Sequence, residues 1–138
     1  MTASHGDIQQ LSNEAVGALV SLGEWLWEAG FEDVDGIPIC KKPKELREEA
    51  ADFLKLFTKE AGKPSGQETR ITAIHFRDSL TFPVPQDSTV DLIPVRHVGN
   101  TQPFIAGKEV KLGFFVHLTQ DTNIQPEFYA ILLLSQTR

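Results

Sequence analysis

FYAILLL, residues 128–134, is the stretch whose reading decides the fold. Seven consecutive apolar residues fit either a buried strand or a piece of a buried helix. Length arbitrates, since strands run about four to eight residues and helices ten or more. The turn-rich residues 119–126 precede the run, which spans only seven residues. It therefore reads as a strand. A strand that is apolar at odd and even positions alike has no face to give to water, which puts it at the centre of a sheet.

Working back from that strand, the pattern stays at period two. Val110, Leu112, Phe114, Val116 and Leu118 alternate with Lys111, Gly113, Phe115 and His117, the cleanest alternation in the chain. Residues 90–98 form another strand, which Pro94 interrupts; a proline there signals a bulge or an edge. Residues 70–77 place Thr72, Ile74 and Phe76 on one side. Asp78 and Ser79 turn that strand into one carrying Leu80, Phe82 and Val84, which Pro83 and Pro85 push to an edge. The short links among the last strands fit an antiparallel meander.

Gly62, Pro64, Ser65 and Gly66 are the clearest breaker, and before them the period changes to that of a helix. Ile8, Leu11, Ala15, Ala18, Leu22, Trp25 and Ala29 recur at threes and fours, which predicts a helix over 7–29. Ser4 and Asp7 offer its cap and Gly30 its stop, with Phe31 folding back onto Leu26. Pro43 opens a second helix through Leu46, Ala50, Phe53, Phe57 and Ala61, closed by Gly62. Residues 31–42 are a connector in which residues 37–40 make a short edge strand. Glu32, Asp33, Asp35 and Gly36 are similar to part of a calcium loop. With Gly36 as its turn glycine, however, the first ligand would be Phe31 and the last Lys42, neither a carboxylate.

Helices followed by strands argue for an α+β fold: two N-terminal helices packed on a mostly antiparallel, four- to five-stranded twisted sheet. The chain reads as one domain, 1–138, with residues 1–62 as its helical layer and 63–138 as its sheet layer. Its layout is similar to the cone-shaped, nuclear-transport-factor-like fold in the opening helices and the closing long strands. It departs from that fold in having no third helix between the strands.

Net charge is −6, and its distribution is uneven. Residues 1–62 hold 6 basic and 12 acidic side chains, whereas residues 63–138 hold 7 of each. A phosphate backbone would be repelled by the first part and not attracted by the second, so nucleic acid is not the expected partner. One cysteine, Cys40, excludes an internal disulfide. The first residues lack the features of a signal peptide, and no apolar run is long enough to cross a bilayer, so a cytoplasmic location away from membranes is expected.

The first helix has an unusually wide apolar arc. Beside its main stripe, Val16, Val20 and Trp27 form a second, while Glu14, Ser21, Glu24 and Glu28 hold the polar side. An arc that wide is covered on two sides: either the helix is sandwiched between the sheet and the second helix, or the Val16, Val20 and Trp27 stripe is a subunit or partner surface.

Chemistry is harder to read. His75, His97 and His117 each fall in an expected strand, but their spacing follows no zinc motif, and no metal is assigned. Arg77–Asp78 reads as a turn. Asp91, Arg96 and His97 offer an acid, a cation and a base, His75 a second base, and Tyr129 a hydroxyl. No serine sits in a Gly-x-Ser-x-Gly elbow, and no glycine-rich loop marks a nucleotide, so no cofactor is implied. Lys41 and Lys42 would lower the Cys40 pKa if the thiol were exposed; a buried, inert thiol is the expectation.

The expected function is a non-catalytic protein-binding or assembly domain, homodimeric, using Val16, Val20 and Trp27. The alternative is a small-molecule-binding protein or small enzyme with a pocket between helices and curved sheet. His75, Asp91, Arg96, His97 and Tyr129 would be its polar groups.

Overall fold

The structure, a computed structural model, describes residues 6–61, 69–99 and 103–136. Among these residues are three helices and eleven strands in two antiparallel sheets of seven and four strands. The residues of the double-sided apolar run form β11 (Phe128–Gln136), the middle strand of the larger sheet. It pairs with β4 (Thr69–Phe76) on one side and with β6 (Ser88–His97) on the other. Beyond β6 lie β9 (Phe114–Leu118) and, at the edge, β1 (Asp7–Gln10). Beyond β4 lie β3 (Ile37–Cys40) and β2 (Phe31–Val34).

The expectation of two helices on a four- to five-stranded sheet is overturned, and β11 explains why. Tyr129, Ile131 and Leu133 point to one face, where α1 (Asn13–Ala29), α2 (Pro43–Glu49) and α3 (Ala51–Ala61) bury them with Leu22, Leu26, Phe53 and Phe57. Phe128, Ala130 and Leu132 point to the other face, and helices on one side cannot cover them. A second sheet does, ordered β5 (Leu80–Phe82), β10 (Thr122–Gln125), β7 (Phe104–Ile105), β8 (Lys108–Glu109). Phe82, Ile105 and Ile124 of that sheet complete the second core. Each side chain so buried contributes roughly 1.5–3 kcal/mol, which is why apolar residues on both faces require two covering layers.

The strands are not confined to the second half of the chain. Residues 7–10 are strand, not the first turns of a helix: α1 begins after Ser12, whose Oγ accepts from the Ala15 N–H at 3.1 Å. Ile8 and Leu11 match helical spacing, but so short a stretch also matches a strand. Of the expected cap, Asp7 lies in β1 and Ser4 lies outside the described residues. Residues 31–34 and 37–40 form a hairpin turned by Asp35 and Gly36, both in the left-handed region at φ 54° and 85°. Asp-Gly is the favoured pair for such a two-residue turn. Phe31 thus opens a strand and packs against the core that contains Leu26.

The second helix is divided at Ala50 into α2 and α3. The alternating stretch from Val110 to Leu118 is not one strand. Gly113 takes φ 93°, outside the strand region, and Leu112 before it is 45% exposed. Gly62, Pro64, Ser65 and Gly66 lie outside the described residues.

Candidate functional site

Helix α1 lies unusually close to β6 at one point. A Cβ on Gly23 would stand 2.9 Å from the Val95 carbonyl oxygen, so only glycine permits this approach. At the same level β6 is bulged. Tyr129 pairs with Arg96 but Ala130 pairs with Pro94, which leaves Val95 as the extra residue. Pro94 cannot donate to a neighbouring strand, which favours the irregularity here. The bulge lets Val95 join the helix-side core while Arg96 reaches the C-terminal part of α1.

There the Arg96 guanidinium carbon sits 4.4 Å from the centroid of the Trp27 ring. Trp27 is also tilted against Tyr129, with centroids 5.7 Å apart. Tyr129 is the hub of the group. His75, its partner across the β4 pairing, stacks on it at 4.1 Å with ring planes 9° apart, and Phe31 tilts against it at 5.4 Å. The His75 Nε2 lies 2.9 Å from the Glu127 carboxylate. Burial first, and the Glu127 carboxylate second, push the Tyr129 phenol above its ordinary value, with Arg96 and Arg77 pulling the other way. The phenol therefore stays protonated at neutral pH. Tyr129 is buried, whereas Trp27 is 50% exposed and Val20, earlier on α1, is 56% exposed. Val16 is half-buried, with its Cγ2 3.5 Å from where a Cβ on Gly113 would stand.

Three of the five polar groups singled out in the sequence (His75, Arg96 and Tyr129) thus gather around Tyr129, with Trp27 touching Tyr129 and Arg96. Asp91 and His97 are elsewhere. Asp91 accepts from His117 Nδ1 at 2.8 Å, with both residues buried on the helix-facing side of the sheet. The register sets this pair opposite Leu133, while His75 lies opposite Tyr129, four residues along β11. His97 pairs with Phe128 and so faces the second sheet. Its buried Nε2 has no hydrogen-bond partner among the described residues, and burial pushes the imidazole below its ordinary value. The three strand histidines are consequently dispersed. Among the described residues no group of three or more His, Cys, Asp or Glu is placed to hold a metal ion. Cys40 is buried, and that burial raises its thiol pKa by more than the nearby Lys42 lowers it.

Two open clefts lie away from this cluster. One is lined by Arg47, Ala51, Leu54, Lys55 and Thr58, the other by Gln10, Leu11, Ser12, Glu14, Leu56 and Lys59. Neither includes any of the five polar groups.

Two members of the cluster, Phe31 and Glu127, escaped the sequence reading. Glu127 comes two residues before Tyr129, immediately ahead of β11, so it was within reach of whatever lay opposite that tyrosine. Phe31 became visible only with the Asp35–Gly36 hairpin. No described helix is long and apolar enough to cross a membrane. No protein-family model matches the chain, and no curated protein matches its sequence.

Proposed function

We propose that this chain is a protein-binding or assembly domain that docks its partner on the outer stripe of α1, with Trp27 as the anchor. One observation carries the reading: Trp27 is half exposed yet held between Arg96 and Tyr129. An exposed indole that is already fixed loses little side-chain freedom when a partner covers it. Tryptophan, tyrosine and arginine are also the side chains that dominate binding energy at protein interfaces. Val20, about two turns earlier on the same face, extends the apolar surface.

The test is quantitative affinity capture with the wild-type chain, Trp27→Ala, and Phe104→Ala as control. Phe104 is exposed on the second sheet, away from α1. A partner kept by wild type and by Phe104→Ala but lost by Trp27→Ala supports the proposal. Equal retention by all three contradicts it.

A small-molecule site is the second reading, favoured by the convergence of His75, Arg96 and Tyr129. A ligand whose binding is lost in His75→Ala, with the fold intact, would support it over the first.

A further inference from the structure

The outer stripe of α1 has a charge as well as an apolar character. The helix, NEAVGALVSLGEWLWEA, carries Glu14, Glu24 and Glu28 and no lysine or arginine. All three carboxylates are exposed. Glu24 is four residues after Val20 and three before Trp27, so it borders both on the helix surface. Glu28 follows one turn later. It also stands in the last turn of α1, where the helix dipole is negative and the helix itself supplies no basic residue, the nearest being Lys41, whose stem lies beside Gly30. A carboxylate there costs the isolated fold stability and is better placed for a cationic partner than for the helix itself. Arg96, the cation beside Trp27, is already stacked on the indole.

We infer that the α1 stripe receives a basic amphipathic helix of another protein, whose apolar side chains cover Val20 and Trp27 while its lysines or arginines meet Glu24 and Glu28. The inference rests on the protein-binding reading above. A helix is the occupant because Val16, Val20 and Trp27 repeat at helical spacing over about 16 Å, the length of some three turns. A second copy docked stripe to stripe would set three carboxylates against three, with only the Arg96 of each copy, already stacked on its own indole, to offset them. Complementary charge of this kind selects the partner and speeds its approach.

A displayed library of helical peptides of about 16 residues, randomised at its exposed positions, tests this. It is selected on the wild-type chain and counter-selected on Trp27→Ala. The expected winners carry net positive charge, bind more weakly at high salt, and lose about fivefold in affinity to Glu24→Gln/Glu28→Gln. Trp27-dependent winners that are neutral or acidic would overturn the inference and leave the protein-binding reading standing. Micromolar self-association of the wild type that Trp27→Ala abolishes would also overturn it, in favour of a second copy. No Trp27-dependent winner and no self-association would remove both.

Discussion

The Arg96 guanidinium lies over the Trp27 indole at 4.4 Å because β6 carries one residue too many opposite Tyr129. The bulge that Pro94 favours thus sets the geometry of the most exposed aromatic side chain on α1. Energetically the contact is modest, about 0.5–1 kcal/mol for an exposed cation–aromatic pair. Its consequence is orientation: the indole is fixed in place and half of it stays in water.

Trp27 and its sequence neighbour Leu26 should therefore behave oppositely. Leu26 is fully buried, and Leu26→Ala should cost about 2–5 kcal/mol. Trp27→Ala should cost about 1 kcal/mol, chiefly the lost contact with Arg96. Urea unfolding of the two variants checks the contrast. A large loss for Trp27→Ala would make the residue structural.

Two glycines in α1 give a second contrast. Alanine is the better helix former by roughly 0.5–1 kcal/mol. A methyl on Gly17 meets nothing within 4 Å, so Gly17→Ala should stabilise by about that amount. On Gly23 the methyl would meet the Val95 carbonyl at 2.9 Å, and Gly23→Ala should instead destabilise by about 1–3 kcal/mol. It should also displace Arg96 from Trp27, visible as a change in tryptophan fluorescence. Equal melting temperatures for the two variants would contradict the close approach of α1 to β6.

The buried Asp91–His117 hydrogen bond predicts an asymmetry. Removing one partner takes a buried hydrogen bond from the other, so Asp91→Ala and His117→Ala should each cost about 1–3 kcal/mol. Replacing both, as in Asp91→Leu/His117→Phe, should recover much of the loss. Additive costs in the double variant would show that the two groups act separately.

His97 supplies a pH dependence. In the unfolded chain its imidazole takes up a proton near the ordinary value of about 6.5, whereas burial holds the folded value lower. Between the two, the unfolded state binds more protons, so stability rises with pH. The contribution is complete above the ordinary value and is lost as pH falls below it toward the folded value. Unfolding curves between pH 8 and about pH 5 should show this loss in wild type and a shallower one in His97→Gln. Identical slopes would contradict the unpartnered setting of His97.

The central strand was legible in FYAILLL because a run apolar on both faces has few other places to go. The same run implied a second covering layer, and that implication outweighs the tally of helices and strands that led to a single, smaller sheet. The pieces of the second sheet are two to four residues long, too short for alternation to declare itself. Pro94 announced the bulge, and Trp27 announced itself as a wide-arc aromatic. Asp35–Gly36 also carried a hairpin signal, but the acidic residues around it drew attention to calcium geometry. What the sequence withheld was register. Only the pairing of Tyr129 with both His75 and Arg96 brings those three together, and only the pairing of β6 with β9 gives Asp91 to His117, while His97 pairs with Phe128 on the other face.

The most direct measurement is native mass spectrometry of the untagged chain and of Trp27→Ala, each purified gently from the same cells. Docking through Trp27 predicts that the wild-type chain retains a stoichiometric protein mass that Trp27→Ala has lost, with both variants folded. The same species for both, whether bare or bound, would contradict it.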